Sequence, residues 1–496
     1  MKRRQGRDVR IAVIGAGPGG LATGVLLAKA GFEDFVLLEK HPGVGGTWYR
    51  NRYPGLTCDI AAPLYQFSFE LNPEWSGPYP PQPELLAYFE RCAEKYGLLP
   101  HCRFGVAVRS ASWNEAEARW SLTLDTEETV EADVVVSAVG MFGDLRFPDI
   151  EGLDSFRGTR FHSAAWDRDH DLRGETVGVI GSAASAIQFV PEIVKEARQV
   201  HLFQRTANWV LPKADDPYTE EQHERFRNDP KAVQAARDEV WNTLDPGGAG
   251  AFTRISAQME AVCRAHMEVV EDPEVRAKLV PDHPWGCKRP LLSNHYYPAF
   301  NRPNLELVTE AIECITPTSI VTADGRERPV DTLVLATGYE TAKFASVVDF
   351  VGRGGARLAD AWSDGAHAYK GVMTAGFPNL FMLYGPNTNG DSLITTIEFE
   401  AEYAVRQVQR LVDENLAWID VKPDAEAAYN EELQQEIAKV EPWHAGCSDY
   451  YRSPGGRIVT QWPGRMSELR RQLETPDPDA YDAGRVEAMR REPAAR

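Results

Sequence analysis

The sequence predicts an α/β fold built around two copies of one strand–turn–helix unit, with a helical insertion. Glycine-rich or small-residue turns occupy residues 15–20 and 181–186, and a run of β-branched residues precedes each turn. Such a turn lets the backbone approach a pyrophosphate, whose negative charge then lies against the N-terminus of the following helix. The third observation is a charged, helix-favouring stretch between residues 213 and 284. The fold class is therefore two Rossmann-like dinucleotide-binding domains with a helical insertion.

The composition is typical of a globular protein with more than one domain. The chain has 496 residues, of which 43% are hydrophobic and 25% charged. Its 73 acidic and 53 basic residues give a net charge of −20, which disfavours binding to nucleic acid or anionic lipid. No apolar run reaches the roughly 18 residues that span a bilayer, and the N-terminus lacks a signal-peptide core. We therefore expect a cytoplasmic protein with small-molecule ligands, no nucleic-acid or membrane partner, and no evident obligatory protein partner.

The first unit shows a complete strand–turn–helix–strand pattern. Residues 9–14 predict a buried strand, residues 21–30 a helix and residues 35–39 a second strand that ends in Glu39. An acid at this position can accept a hydrogen bond from a ribose hydroxyl, as an adenine dinucleotide requires. A solvated carboxylate at a strand end is the alternative. The glycines expected to contact the dinucleotide are Gly15, Gly17, Gly19 and Gly20.

The second unit repeats this pattern with alanines in place of two glycines. Residues 176–180 predict the strand and residues 186–190 the start of the helix. Ala183 and Ala186 replace the second and third glycines, and their methyl groups predict a looser turn. The residues of this turn expected to contact the cofactor are Gly181, Ser182, Ala183 and Ser185.

The strand that follows the second unit ends in Arg205 and Thr206, where a site selective for NAD carries an acid. A guanidinium next to a hydroxyl favours a 2′-phosphate, which predicts NADPH as the second cofactor. The alternative is that Arg205 is an ordinary surface arginine. Two dinucleotides in one chain suggest a flavin facing a nicotinamide, and therefore redox chemistry.

The cysteines show no pattern typical of a metal site or a redox disulfide. No two of them form a C-x-x-C motif, so neither feature is expected. This disfavours the flavoprotein disulfide reductases, which share the plan of two nucleotides but carry paired cysteines beside the flavin. The seven cysteines lie at positions 58, 92, 102, 263, 287, 314 and 447.

Longer motifs resemble those of Baeyer–Villiger monooxygenases, the class B flavoprotein monooxygenases of the flavin-containing monooxygenase superfamily. Residues 45–48 (Gly-Gly-Thr-Trp) and 53–55 (Tyr-Pro-Gly), with Asp59, are similar to the family's first long fingerprint. Residues 156–167 resemble the second signature, F-x-G-x-x-x-H-x-x-x-W-[P/D], and its ending favours this family over the flavin-containing monooxygenases, which usually end in Tyr. Further matching segments extend the resemblance from about residue 9 to residue 465: residues 336–338, 376–379 and 385–387.

The resemblance implies an FAD- and NADPH-dependent enzyme that inserts one oxygen atom from O2 beside a ketone carbonyl, giving an ester or lactone. In this family a C4a-peroxide of the flavin attacks the ketone as an anion, which requires a permanent cation such as arginine. The Lys-Arg-Pro stretch at residues 288–290 makes Arg289 the implied catalytic arginine, with Asp59 orienting it. Lys288 is implied to join Arg205 on the 2′-phosphate. The residues implied around FAD are Gly46, Thr47, Trp48, Asp59 and Asn387.

Alternatives remain at this stage. Arg289 and Asp59 could form a simple inter-domain salt bridge, and a flavin-dependent N- or S-monooxygenase would use a protonated hydroperoxide instead. A reductase or a non-catalytic FAD-binding scaffold ranks lower. The expected domain limits are 1–143 and 341–474 for FAD, 144–212 and 286–340 for NADPH, 213–285 for the helical insertion, and 475–496 for a surface or disordered tail.

Overall fold

The computed structural model describes residues 8–390, 392–447 and 450–486. The strands, in chain order, are β1 Ile11–Ile14, β2 Phe35–Glu39, β3 Cys102–Phe104, β4 Val108–Asn114, β5 Arg119–Leu124, β6 Thr129–Ala132, β7 Val134–Ser137, β8 Thr159–His162, β9 Thr176–Ile180, β10 Gln199–Phe203, β11 Val210–Leu211, β12 Leu291–Leu292, β13 Leu305–Val308, β14 Ile312–Ile315, β15 Ser319–Thr322, β16 Glu327–Pro329, β17 Thr332–Leu335, β18 Asp349–Val351, β19 Leu380–Met382, β20 Leu416–Val421 and β21 Tyr481–Arg485.

The α-helices are α1 Pro18–Ala30, α2 Thr47–Arg50, α3 Gln82–Lys95, α4 Ala186–Ile193, α5 Glu220–Asn228, α6 Pro230–Leu244, α7 Gly250–Met267, α8 Pro273–Lys278, α9 Tyr296–Ala299, α10 Leu358–Ala361, α11 Leu393–Asp413, α12 Pro423–Ile437 and α13 Met466–Glu474.

Two five-stranded parallel sheets form the framework. The N-terminal sheet has the order β19-β7-β1-β2-β3, and the central sheet has the order β13-β10-β9-β17-β8. All four residues of β1 are buried, as are all five of β9. Continuous apolar strands of this kind are typical of parallel sheets that are covered on both faces. The predicted α/β fold with two Rossmann-like domains is confirmed.

The central sheet is inserted between two parts of the N-terminal sheet. The chain leaves the N-terminal sheet after β7 and returns to it before β19. The segments that connect the two sheets lie side by side. Leu145 forms an isolated antiparallel bridge with Tyr339, and the amide of Arg146 donates to the carbonyl of Gly338 at 2.9 Å. The two crossings therefore form one joint, at the loop where the sequence predicts a linker.

Four helices, α5 to α8, lie in the segment predicted as a helical insertion. Helix α5 begins with a capping box at Thr219, and helix α6 carries the buried Arg237. The Arg237 guanidinium donates to the carbonyls of Leu64 and Gln66 and lies 3.5 Å from the carboxylate of Glu398. The insertion is therefore anchored to the N-terminal part of the chain by hydrogen bonds and to helix α11 by a buried ion pair.

The segment predicted as a surface or disordered tail contains an ordered strand. Strand β21 pairs antiparallel with β20, and Tyr481 is buried where its hydroxyl meets that of Tyr403. Asp477 accepts a hydrogen bond from Tyr369. Of the two alternatives expected here, residues 475–486 follow the surface one: the segment is ordered and mostly exposed, because aromatic contacts made with distant residues fix it; residues 487–496 lie outside the described residues. Among the described helices, none has the length and apolar character needed to cross a membrane.

Candidate active site

The first glycine turn is closed tightly by backbone contacts. Gly15 has φ +105°, and a Cβ there would lie 2.7 Å from the carbonyl oxygen of Ala138. A Cβ on Gly20 would lie 2.0 Å from the carbonyl oxygen of Gly15. Helix α1 begins at Pro18, so its N-terminal amide groups come close behind the turn. Gly15 is therefore required by conformation and by space, and Gly20 by space.

Glu39 lies at the end of β2 beside this turn and is 4% exposed. One carboxylate oxygen accepts from the amide of Ala16 at 2.8 Å, and the other accepts from the amide of His41 at 2.8 Å. Each carboxylate oxygen has two acceptor positions, so one on each oxygen remains for a ribose hydroxyl. The predicted role is compatible with this geometry.

The Gly-Gly-Thr-Trp segment packs directly against the first turn. Gly46 has φ +55°, and a Cβ there would lie 2.8 Å from the Cα of Gly17. Thr47 begins the short helix α2 and is exposed, whereas Trp48 is buried and donates from its Nε1 to the hydroxyl of Tyr65 at 3.1 Å. Two glycines in contact allow the two loops to form one narrow cradle, which fits an extended dinucleotide.

Asn387 contributes a buried polar atom to the same region. It has φ +57° and is 1% exposed, and its Nδ2 donates to the carbonyls of Ile458 and Gln461 at 3.1 Å each. Its Oδ1 is buried and has no hydrogen-bond partner among the described residues. A buried acceptor without a partner is costly, so this atom fits a donor group on a bound cofactor.

The second glycine turn is more open than the first. Gly181 has φ +106°, and a Cβ there would lie 2.4 Å from the carbonyl oxygen of Ala336. Helix α4 begins only at Ala186, after Ser185 as its N-cap, and Ala183 is exposed. The turn between Gly181 and the helix is therefore longer, which agrees with the looser turn expected from the alanines.

The residues predicted to select NADPH lie around this second turn. Ser182 is buried, and its hydroxyl lies 3.5 Å from the carbonyl of Thr206. Arg205 is exposed and forms no ion pair with any described residue. Lys288 is partly exposed and directly precedes Arg289. The structure thus places Thr206 at the turn, and the roles of Arg205 and Lys288 stay predictions.

Arg289 and Asp59 form an ion pair between the two domains. Nε and Nη2 of Arg289 both donate to Oδ2 of Asp59, at 3.0 and 2.6 Å. Each side chain is 34% exposed. The negative charge of Asp59 raises the pKa of Arg289 well above its ordinary value, so the guanidinium stays protonated. Its Nη1 makes no hydrogen bond with the part of the chain that the structure describes.

Two residues missed by the sequence analysis hold the loop that carries Asp59. The ammonium of Lys213 is buried, donating to the hydroxyl of Thr57 at 2.6 Å and to the carbonyl of Cys58 at 2.8 Å. Gln188 of helix α4 donates to the carbonyl of Thr57 at 3.0 Å and accepts from the hydroxyl of Tyr53 at 3.0 Å. These contacts join the Asp59 loop to the central domain. Neither residue belongs to a recognisable motif, so no sequence signal marked it.

Aromatic side chains surround the ion pair. Burial raises the pKa of Tyr384, and the side chains of Tyr384 and Tyr450 lie near Arg289. The hydroxyl of Tyr384 donates to Oδ1 of Asn389. The ring of Tyr450 lies 6.5 Å from that of Phe142. The guanidinium therefore lies near the phenol of Tyr384, which burial keeps neutral, so this side chain adds no second negative charge.

The second signature contributes to the joint between the domains. His162 is buried, its Nδ1 accepts from the amide of Ala164, and its ring lies between those of Phe147 and Tyr339 at 5.7 and 6.2 Å. Burial lowers the pKa of His162 to about 4, so the ring is neutral near pH 7. Trp166 packs on Phe189. This histidine therefore belongs to the packing beside the two linkers.

The prediction that the cysteines form no disulfide is wrong. Cys287 and Cys447, 160 positions apart, are joined by one. The C-x-x-C rule detects only neighbouring cysteines and therefore could not find this pair. A ring nitrogen of His283 and the two sulfur atoms lie within 4.8 Å of one another, so these side chains could also hold a metal ion. Because a cysteine pair is present, the cysteines do not distinguish this chain from the flavoprotein disulfide reductases.

The fold and the two turns define a class, the oxidoreductases with two dinucleotide-binding domains. A family model described as "Pyridine nucleotide-disulphide oxidoreductase" matches residues 12–243. A Baeyer–Villiger monooxygenase of Pseudomonas aeruginosa is 39% identical, covering 94% of this chain and 90% of the relative. One of Streptomyces coelicolor is 38% identical, covering 95% and 92%. The chain therefore belongs to the family of Baeyer–Villiger monooxygenases, and the predicted resemblance is confirmed.

Solved structures agree with this family. The complex of OTEMO with FAD and NADP has a TM-score of 0.87 and 28% identity, covering 96% of this chain and 99% of that one. Cyclohexanone monooxygenase from Rhodococcus sp. Phi1 bound to NADP+ has a TM-score of 0.86 and 31% identity, with the same coverage. The similarity extends over both nucleotide-binding domains and the insertion, since it covers nearly the whole chain.

Proposed function

We propose that this protein is an FAD- and NADPH-dependent Baeyer–Villiger monooxygenase, which inserts one atom of O2 beside a ketone carbonyl to give an ester or lactone. Family membership supports the reaction class, and relatives of the same fold bind FAD and NADP. The single observation that carries the proposal is the ion pair of Arg289 and Asp59 between the two nucleotide-binding domains. A flavin-dependent N- or S-monooxygenase is not favoured.

The proposed FAD site is the cradle around the first turn. Backbone amides of the turn and the N-terminus of α1 bind the pyrophosphate, and Glu39 accepts from the ribose. Asn387 Oδ1 supplies an acceptor to the cofactor. When bound and reduced, FAD supplies the activation of O2. The residues proposed to hold it are Gly15, Gly17, Gly19, Gly20, Glu39, Gly46, Thr47, Trp48, Asp59 and Asn387.

The proposed NADPH site is the second turn. Its open shape suits a cofactor that must enter and leave in each cycle, because fewer contacts have to be broken. Arg205, with Thr206 and Lys288, binds the 2′-phosphate through charge-assisted hydrogen bonds. The turn residues of this site are Gly181, Ser182, Ala183 and Ser185.

Arg289 is the proposed catalytic residue, because it supplies a permanent positive charge beside the reacting oxygen. Its pKa is raised by Asp59, so it does not donate a proton to an oxygen anion and instead stabilises that anion. Asp59 orients the guanidinium through Nε and Nη2, which leaves Nη1 to donate to the reacting oxygen. Asp59 also offsets the cost of a partly buried charge.

We also propose domain limits, a substrate class and a cellular compartment for this enzyme. Residues 1–143 and 341–474 belong to the FAD-binding domain, residues 144–212 and 286–340 to the NADPH-binding domain, and residues 213–285 to the insertion. The substrate is a small ketone, consumed together with O2, and the place of action is the cytoplasm, where NADPH is supplied. The amphiphilic surroundings of Arg289, aromatic with one fixed charge, support a ketone of mainly apolar structure.

The decisive experiment replaces Arg289 by Ala and separates three steps. The variant should retain FAD, and anaerobic NADPH should still reduce the flavin, because neither nucleotide turn is changed. Conversion of ketones to esters, measured by gas chromatography, should fall by at least about 100-fold, since one stabilising charge is lost. Arg198→Ala is a matched control, because Arg198 also pairs with an aspartate, at 3.0 Å, but on the surface of the central domain.

Two outcomes would contradict the proposal. Ester formation at the normal rate by Arg289→Ala would show that Arg289 is only a link between domains. A wild-type enzyme that oxidises amines or sulfides, but none of a panel of cyclic and linear ketones, would instead indicate an N- or S-monooxygenase.

A further inference from the structure

The disulfide between Cys287 and Cys447 joins two segments that meet beside the proposed catalytic arginine. Cys287 is fully buried and lies two positions before Arg289, whereas Cys447 is partly exposed. The segment that carries Cys447, here called the C-terminal loop, comprises the described residues 441–447 and 450–459. The bond therefore connects the NADPH-binding domain to a loop contributed by the C-terminal part of the FAD-binding domain.

The C-terminal loop packs against the site on both sides of the disulfide. On one side, the ring of Trp443 lies 6.3 Å from that of Phe252 in the helical insertion. On the other side, the carbonyl of Tyr450 lies 3.4 Å from the hydroxyl of Thr341, and its phenol lies near Arg289. A bond that fixes Cys447 therefore restrains a loop that packs on the helical insertion and lies near Arg289.

The two sulfur atoms lie in a small cluster of side chains. A ring nitrogen of His283 lies within 4.8 Å of both. Lys288 and Arg289 directly follow Cys287 in the chain. Cys447 is the more exposed sulfur, so an oxidant meets it first. The five remaining cysteines are free thiols, and three of them are buried.

We propose that Cys287 and Cys447 are a peroxide-reactive thiol pair whose oxidation fastens the C-terminal loop beside Arg289. The Cys447 thiolate attacks hydrogen peroxide, breaking the O–O bond to form a sulfenic acid and release one water. The Cys287 thiolate then attacks that sulfur, forming the S–S bond and releasing a second water. The pair loses two electrons and two protons, so two thiols and one peroxide give one disulfide and two waters.

This pairing rests on the proposed function only for the source of the oxidant. An oxygenase that reduces O2 without oxidising a substrate releases hydrogen peroxide, and it does so inside this site. Fastening the C-terminal loop restricts the entry of solvent to Arg289, which favours retention of activated oxygen. Hydrogen peroxide released from the site therefore forms the disulfide that holds the C-terminal loop in place, which limits further release of peroxide. Reduction of the disulfide by a cellular dithiol frees the loop again.

The first test counts thiols in the denatured holoenzyme. After full reduction and removal of the reductant, all seven cysteines should react. After one equivalent of added hydrogen peroxide, five should react, and mass spectrometry should find one peptide pair joined through positions 287 and 447. Because the peroxide is added directly, this result does not depend on the enzyme's oxygenase activity. Cys447→Ser should form no such pair, whereas Cys314→Ser should behave as wild type apart from one thiol fewer.

The second test measures what the bond does. Amide hydrogen exchange in residues 450–459 should be at least several-fold faster in the reduced protein and in Cys447→Ser than in the oxidised wild type. NADPH-dependent release of hydrogen peroxide without ketone should rise in the same two samples and stay unchanged in Cys314→Ser.

Three results would overturn the proposal. Seven reactive thiols after peroxide treatment would show that the pair does not react. Stoichiometric zinc that stays bound and prevents oxidation would show a metal site made by the same three side chains. Equal exchange and equal peroxide release in the oxidised and reduced protein would show a bond without control over the loop.

Discussion

The two nucleotide turns share one feature and differ in the rest. Gly15 and Gly181 have nearly the same φ, +105° and +106°, and in each case an added Cβ would meet the carbonyl oxygen of an alanine on a neighbouring chain segment. The first position of both turns is therefore fixed by the same steric demand. This demand comes from the crossing of strand and turn, and it does not depend on which nucleotide is bound.

The turns differ at the later positions. Gly17 lies against Gly46, and Gly20 lies against Gly15, so the first turn has no room for a methyl group. In the second turn Ala183 is exposed, and Ala186 is buried at the start of a helix that begins two positions later relative to its first glycine. The difference teaches that a closed turn suits a cofactor that stays, whereas an open turn suits one that exchanges.

Replacing Gly20 by Ala should have the largest effect on the difference between the two turns, because it should open the first one. The new Cβ would lie 2.0 Å from the backbone oxygen of Gly15, so the turn must open. We expect the purified variant to contain less than about a tenth of the wild-type FAD, because the turn can no longer approach the pyrophosphate. Absorbance at the flavin band measures this. In Gly143→Ala the new Cβ meets nothing within 4 Å, so normal FAD content is expected there; full FAD in Gly20→Ala would disprove the closed turn.

Replacing Arg205 by Ala should change the second site alone. We expect weaker NADPH binding by roughly 1.5–3 kcal/mol, or about 10- to 150-fold, because a charged hydrogen bond to the 2′-phosphate is lost. NADH binding should change little. Stopped-flow reduction of the flavin at several concentrations of each nucleotide measures both constants. Equal weakening for NADPH and NADH would indicate a structural role for Arg205 instead.

A buried acid, Glu400, and a partly exposed acid, Glu306, differ in their expected pH dependence. Burial raises the pKa of Glu400, next to the FAD cradle, to about 8 from 4.5. Burial also acts on Glu306 of the central sheet, but Arg328 and His201 lower the pKa of that carboxyl below its usual value. The native state therefore binds extra protons at Glu400 and releases them at Glu306.

The sign of the effect should be opposite at the two acids. The stability of the wild type relative to Glu400→Gln should fall as pH rises from about 4.5 to 8, by on the order of 5 kcal/mol. Relative to Glu306→Gln, the wild type should be favoured above the unfolded pKa and should lose that advantage as pH falls through the lowered pKa. Midpoints of urea unfolding across pH measure both. The same slope in both variants would refute these assignments.

The smallest expected effect is that of Ala183→Gly. Because Ala183 is exposed, removal of its methyl group should change NADPH affinity by no more than about threefold. Titration of the oxidised enzyme with NADP+ measures the affinity. An increase above about tenfold would mean that the methyl group already obstructs the cofactor, and that the second turn is less open than its backbone indicates.

The sequence predicts features that depend on local patterns. The strand at residues 9–14 corresponds to β1, Ile11–Ile14, and the acid that ends the next strand lies beside the turn, because both follow from apolar runs and their spacing within one βαβ unit. The contact of Arg289 with Asp59 was expected only from the family resemblance, since 230 positions separate them.

Features that depend on distant contacts left no local pattern. Lys213 reaches Thr57 across 156 positions, and Cys287 reaches Cys447 across 160. Strand β21 lies in a segment whose proline and acidic residues predict a tail, yet it pairs antiparallel with β20. A single sequence carries no record of such pairings, which are decided by the three-dimensional packing.

The paired crossings at residues 144–146 and 338–340 also have an evolutionary consequence. A chain segment whose two ends lie together can be removed or exchanged without rerouting the remainder of the molecule. The segment between these crossings is therefore a natural cassette. One continuous gene segment can therefore carry the preference for a nicotinamide cofactor from one relative to another, while the flavin-binding part evolves separately.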